Sequence, residues 1–200
     1  MLKPHGSVPH DIQAPSPWVI RWAHLVPHGG KILDLACGYG RHTRHFLDNN
    51  FAVAGVDISQ AAIDSIADNL NPAQRNKAEL IVADIENGPW PLAGRQFSAI
   101  VVTNYLWRPL LPTLVQSLAP GGVLVYETFA AGNETVGKPS RPDFLLHNGE
   151  LLTVCASLRI VAYEDGFLPN PDRFVQRIVA VNGLGSDSNT PHRYSFISKI

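Results

Sequence analysis

Two rhythms of apolar and polar positions alternate along this chain. Short, nearly unbroken apolar runs at residues 31–36, 52–57, 80–83, 97–103 and 123–128 read as buried strands. Between them the apolar positions fall at helical spacing. Ser16-Pro17 offers an N-cap followed by proline at the first helical position, and Trp18, Val19, Trp22 and Leu25 continue that face until Pro27-His28-Gly29-Gly30 stops it. Residues 41–49 read as a helix. Ser59 caps another that carries Ala62, Ile63, Ile66 and Leu70, and residues 110–118 form a third, ended by Pro120-Gly121-Gly122.

Strands alternating with helices in this way predict right-handed βαβ units and a parallel, doubly wound α/β sheet of Rossmann-like design. The alternation breaks near the end. Residues 158–166 and 173–181 read as two strands joined by 167–172 with no helix between them, hence an antiparallel hairpin closing one edge. Residues 86–94 read as loop, and residues 130–148 as a long irregular loop at the ligand edge, expected to cover a substrate. Residues 1–15 read as a flexible arm, 16–182 as the one folded domain, and 183–200 as a polar, turn-rich tail in which 194–197 either form a short strand or stay mobile.

Composition narrows the class without naming it. Two hundred residues, 45% of them apolar and 16% charged, suffice for one globular domain with a real core. A net charge of −1 with no basic run does not predict avid nucleic-acid binding. No stretch reaches the roughly 18–20 apolar residues that cross a bilayer. Cys37 and Cys155 read as reduced thiols, and together with the polar start they predict a cytoplasmic protein.

The chemistry concentrates in residues 32–46, ILDLACGYGRHTRHF. An apolar strand ends in an acid, Asp34, turns through Gly38 and Gly40, and enters a helix. Glycines there let backbone approach a nucleotide-like ligand closely. A carboxylate at the end of the first strand suits a ligand bearing an ammonium group better than a pyrophosphate, which points to S-adenosylmethionine (SAM). The loop also lacks the third glycine of a dinucleotide fingerprint. Asp57 ends the second strand, where a carboxylate suits a ribose diol. Asp84 ends the third, and Thr103-Asn104 the fourth.

In this order, these elements resemble the class I SAM-dependent methyltransferases over residues 31–181. The stretch from Tyr126 to Leu152 is most similar to small bacterial proteins grouped with tellurite-resistance methyltransferases. The resemblance implies a seven-stranded sheet that includes the terminal hairpin. It implies SAM held by Asp34, Ala36, Cys37, Gly38, Gly40, Arg41, Asp57, Ile58, Asp84, Ile85 and Asn104, with alanine at 36 in place of the family's first glycine. Arg41 and Arg21 are the candidates for the methionine carboxylate.

Asn104, Tyr105 and Arg108 are the acceptor-site candidates, Arg108 being expected to meet an anionic group. His42 and His45 read as a surface pair, and no metal site is expected. The implied activity is methyl transfer to a small molecule, with a metalloid oxyanion or a thiol among the acceptors. An RNA or protein methyltransferase, or a non-catalytic SAM-binding sensor or partner protein, stays open.

Overall fold

In the computed structural model, which describes residues 13–183 and 193–197, seven strands form one sheet in the order β3-β2-β1-β4-β5-β7-β6. The strands are β1 (Lys31–Leu35), β2 (Ala52–Asp57), β3 (Ala78–Val82), β4 (Phe97–Thr103), β5 (Leu118–Phe129), β6 (Arg159–Leu168) and β7 (Arg173–Val181). β1 to β5 pair in parallel. β7 runs antiparallel between β5 and β6, as the hairpin reading requires.

Alternation across the pleat divides the core in two. Leu33, Leu35, Ile100, Val102, Leu124 and Tyr126 pack on one face with Leu111, Leu114 and Leu151. These come from α5 (Leu111–Gln116) and α6 (Glu150–Val154). On the other face Ile32, Ala99, Val101, Val123 and Val125 meet Trp18, Trp22, Phe46 and Ile66. Those belong to α1 (Pro17–Trp22), α2 (Arg41–Asp48) and α3 (Gln60–Asp68). A sheet covered on both sides explains why β4 is an unbroken apolar run.

Several expected boundaries move. The segment Pro120-Gly121-Gly122 does not terminate a helix. α5 ends at Gln116, and β5 begins at Leu118 with a register shift opposite Phe97 and Ala99. Gly122 is needed there, because a Cβ would meet the carbonyl oxygens of Ala119 and Phe97 at 2.8 Å. Two short helices escape the periodicity: α4 (Pro72–Arg75), closed by a capping box between Asn71 and Gln74, and α6.

The 130–148 segment holds two 3-10 turns, Asn133–Thr135 and Pro142–Phe144, and is stitched back by a bridge between Ala130 and Leu146. Residues 194–197 form no strand; Phe196 packs edge-on against Trp22. The first twelve residues of the expected arm, and residues 184–192 and 198–200 of the tail, lie outside the described residues.

Candidate active site

The loop from β1 to α2 is left-handed at three places: Ala36 (φ 50°), Gly38 (φ 53°) and Gly40 (φ 75°). At Gly40 a Cβ would stand 2.6 Å from Ile66, so helix α3 packs on the loop only with glycine there. Ala36 accepts the same conformation at a cost of about 1 kcal/mol or more. Three hydrogen bonds hold the loop in place. Cys37 N–H donates to the Val56 carbonyl, Gly40 N–H to the Cys37 carbonyl, and Gly38 N–H to Asp57 Oδ2 at 2.7 Å.

Asp57 is therefore a junction. Its other oxygen accepts from Ser59 N–H at 2.9 Å, which fixes the start of α3. Next to it Ile58, 67% exposed, offers an apolar surface at the sheet edge. Asp84 accepts hydrogen bonds from the backbone of Glu86 and Asn87 and from the Asn87 side chain. These bonds hold its carboxyl below the usual range and mark an Asx turn. Ile85 is partly buried against the core.

Asp34 faces inward more than a ligand-facing acid would. It is 1% exposed and accepts a 2.6 Å hydrogen bond from the Thr43 hydroxyl, anchoring the first turn of α2. Burial raises its pKa to about 6, against the lowering effects of Thr43 and Arg41. The Cys37 thiol is buried, bonds to the Gly38 carbonyl, and is pushed far up by burial, so it is no nucleophile. Cys155 is likewise pushed up to about 12.

A cavity of about 200 Å³ opens against this loop, lined by Gln13, Gly38, Tyr39, Arg41, Thr103 and Asn104 among others. Arg41 donates to the Thr103 hydroxyl at 3.3 Å. A second cavity, about 290 Å³, is lined by Glu86, Asn104, Tyr105, Thr128, Phe129 and Phe144 among others. Asn104, itself left-handed at φ 55°, borders both. The Tyr105 hydroxyl is buried with no hydrogen-bond partner, and burial together with the charge of Glu86 raises its pKa.

Two expectations are corrected here. Arg108 is not available to an anionic acceptor. Nε and Nη2 bind both oxygens of Glu150, and Nη1 and Nη2 donate to the carbonyls of Asp143 and Leu145. Its work is to tie the 130–148 segment to α6. His42 is not half of a surface pair, being 2% exposed with Nε2 accepting from Ser16 N–H at 3.0 Å. Burial, then the charge of Arg41, lowers its pKa to about 3. Among the described residues no three His, Cys, Asp or Glu side chains are grouped to hold a metal. Arg21 pairs with Glu164 and stacks over Trp22.

Glu127 was not foreseen. It lies buried in β5, where it accepts from the Ser16 hydroxyl at 3.0 Å and from Arg177 at 3.3 Å. Ser16 thus binds α2 through His42 and the sheet through Glu127. That clasp sets α1 over the sheet and leaves Gln13 at the mouth of the first cavity. One signal was present in the sequence: an acid in the middle of an apolar strand, VLVYETF.

Comparison with known proteins agrees with this geometry. Residues 32–122 match the model of a methyltransferase domain. Over 109 residues the chain is 37% identical to the malonyl-[acyl-carrier protein] O-methyltransferase of Enterobacter lignolyticus, a match covering 50% of this chain and 39% of that enzyme. TehB from Haemophilus influenzae superposes with a TM-score of 0.69 at 18% identity, covering 86% of this chain and 64% of TehB. The glycopeptide N-methyltransferase MtfA, solved in complex with SAM, superposes with a TM-score of 0.54 at 17% identity, covering 76% of this chain and 81% of MtfA. Residues 32–122 are thus similar to a methyltransferase domain, and the chain shares the fold of TehB and MtfA, while it spans well under half the length of the enzyme from Enterobacter lignolyticus that it matches.

Proposed function

We propose that this chain transfers the methyl group of SAM to a small-molecule acceptor by direct in-line displacement. The observation that carries the proposal is the meeting of two cavities at Asn104. One is shaped by the glycine loop and the other by Tyr105, Phe129 and Phe144. Donor and acceptor held on either side of one residue are close enough to react, and each cavity suits a small molecule.

In this reading Asp57 receives the ribose hydroxyls, Ile58 and Ile85 flank the adenine, and Asp84 lies beside its amino group. The backbone of residues 36–40, with Arg41 and Asn104, receives the methionine portion. Asp34 acts one step back, holding Thr43 and hence the head of α2. SAM supplies an already activated methyl on its sulfonium, so the protein's contribution is alignment and exclusion of water. Alignment of that kind lowers a barrier by roughly 7–11 kcal/mol. Phe129 and Phe144 supply the apolar walls that keep competing water out.

Calorimetric titration with SAM and with S-adenosylhomocysteine tests the reading. Both are expected to bind wild-type protein and to bind Asp57→Asn far more weakly. Folded wild-type protein that binds neither removes the basis of the proposal.

A further inference from the structure

The second cavity is lined by four separate stretches of chain: the turn after β3, the end of β4, the end of β5 and the 130–148 segment. Glu86 comes from the first, Tyr105 from the second, Phe129 from the third and Phe144 from the fourth. Glu86 is the charged residue of that wall; among the described residues lining the cavity none is Lys, Arg or His. Its carboxylate is also uncommitted. Glu79, Glu127, Glu150 and Glu164 each hold an arginine, whereas Glu86 enters no ion pair among the described residues. Its charge reaches the Tyr105 side chain, where it follows burial in raising the pKa of the hydroxyl.

An acid in a wall with three aromatic residues suits a cation. A carboxylate attracts an ammonium group directly, and aromatic rings add an attraction of their own. The same wall repels an oxyanion. It also disfavours a thiol, because a neighbouring negative charge keeps the thiol in its protonated, weakly nucleophilic form. The direction of the transfer supplies a second argument. When SAM methylates an amine, positive charge leaves sulfur and arrives on nitrogen. Here it passes from the first cavity, across Asn104, into the second, and Glu86 stands on the side where the charge arrives.

We infer that the second cavity takes the methyl acceptor as a small primary or secondary amine, with Glu86 holding its nitrogen and receiving its proton. This rests on the methyltransferase reading above and adds a substrate class to it; the oxyanion and the thiol suggested by the sequence do not suit this wall. The amine enters as an ammonium and gives one proton to the Glu86 carboxylate, which is exposed and passes it to water. The freed lone pair forms the nitrogen–carbon bond as the carbon–sulfur bond breaks. The electrons of the broken bond stay on sulfur, so S-adenosylhomocysteine leaves with a neutral thioether and the product is an N-methylammonium. At about 290 Å³ the cavity lies at the lower end of the roughly 300–1,000 Å³ usual for ligand pockets, which keeps the acceptor small.

The test uses the full chain saturated with S-adenosylhomocysteine, titrated calorimetrically at neutral pH with benzylamine and with butylamine. The matching alcohols and carboxylates, benzyl alcohol, butanol, benzoate and butyrate, serve as controls. Saturable binding of at least one amine is expected, tighter than that of its alcohol, with no binding of the carboxylates. Glu86→Gln should weaken the amine by roughly tenfold or more and leave the alcohol within about threefold. Affinity for S-adenosylhomocysteine should also stay within about threefold, since Glu86 supports Asp84 through its backbone N–H, which the substitution keeps. With SAM in place of S-adenosylhomocysteine, mass spectrometry should show the bound amine N-methylated, and more slowly by Glu86→Gln.

Binding of neither amine would overturn the inference, as would an alcohol or carboxylate that binds as well as its amine. Equal amine affinity in wild type and Glu86→Gln, or a bound amine that SAM does not methylate, would overturn it too. If folded Glu86→Gln loses S-adenosylhomocysteine as well, the acid serves the donor and the acceptor assignment is wrong. If wild type fails to bind S-adenosylhomocysteine, the methyltransferase reading falls. Amine titration of the unliganded protein then still reports on the cavity separately.

Discussion

The Asp57 carboxylate accepts the Gly38 amide hydrogen at 2.7 Å, so the residue expected to read the ribose also holds the glycine loop shut against β2. Two functions on one carboxylate give its substitutions a distinct signature. Asp57→Asn removes the charge from one or two ligand hydrogen bonds and disturbs the loop anchor. SAM affinity should fall roughly 10- to 100-fold by calorimetry, since charge-assisted bonds contribute about 1.5–3 kcal/mol. Melting temperature should fall as well, even without ligand. A variant that lost affinity with no loss of unliganded stability would show the loop anchor to be dispensable.

Asp34 should make the unliganded protein less stable as pH rises. Its folded pKa, about 6, lies above the 3.8 of a free aspartate, so between these values the folded state binds more protons than the unfolded one. This contribution is therefore fully present below about pH 4 and is lost as pH climbs through 6. Asp34→Asn removes the titration and should stabilise the protein at pH 8 by up to about 3 kcal/mol relative to wild type. The advantage should vanish near pH 4. Melting curves of both proteins across that range decide it.

The Ser16 clasp predicts coupling between stability and cofactor binding. Ser16→Ala deletes an N-cap and the hydrogen bond to Glu127. A loss of about 1–2 kcal/mol is expected in urea denaturation. SAM affinity should drop too, because Gln13 then loses its fixed place at the cavity. Unchanged affinity in the destabilised variant would show that Gln13 contributes nothing to binding.

Arg108 and Glu150 should behave as a structural pair. Arg108→Ala frees the carbonyls of Asp143 and Leu145, so limited proteolysis should cut residues 130–148 faster while SAM affinity stays near wild type. In a double-mutant cycle with Glu150→Ala, coupling of about 1 kcal/mol or more is expected for this partly buried, bidentate pair. Wild-type proteolysis rates in Arg108→Ala would overturn the tethering role.

The fold was legible where burial dictates residue type. β4 sits between two layers and must be apolar throughout, and β7 shows the same pressure, so both strands were bounded correctly from sequence alone. The helix α3 announced itself through Ser59 and the spacing of Ala62, Ile63 and Ile66. What escaped depends on contacts between distant segments. Nothing local in Pro120-Gly121-Gly122 distinguishes a helix stop from a strand irregularity; the carbonyl of Phe97 decides that. α4 and α6 are too short to display a period.

At the site, the backbone elements were readable because strand-end acids and glycines repeat a simple geometry. Side-chain partnerships were not. Arg108 looked free until Glu150, far along the chain, was folded against it. His42 looked exposed until Ser16 covered it. Glu127 lies on a strand whose apolar rhythm drew attention away from its charge.

The placement of β7 between β5 and β6 has a consequence for how this protein is made. The last strand of the sheet to leave the ribosome is also the partner that β5 requires along Val123 to Phe129. Until residue 181 is free, β5 is an open, apolar edge with unpaired amides, which is the kind of surface that recruits other chains. The parallel half of the sheet can assemble during synthesis, but the antiparallel edge, where β7 pairs with β5 as far as Phe129, comes into being only at the end. Completion of the sheet and closure of its open β5 edge are thus the same event.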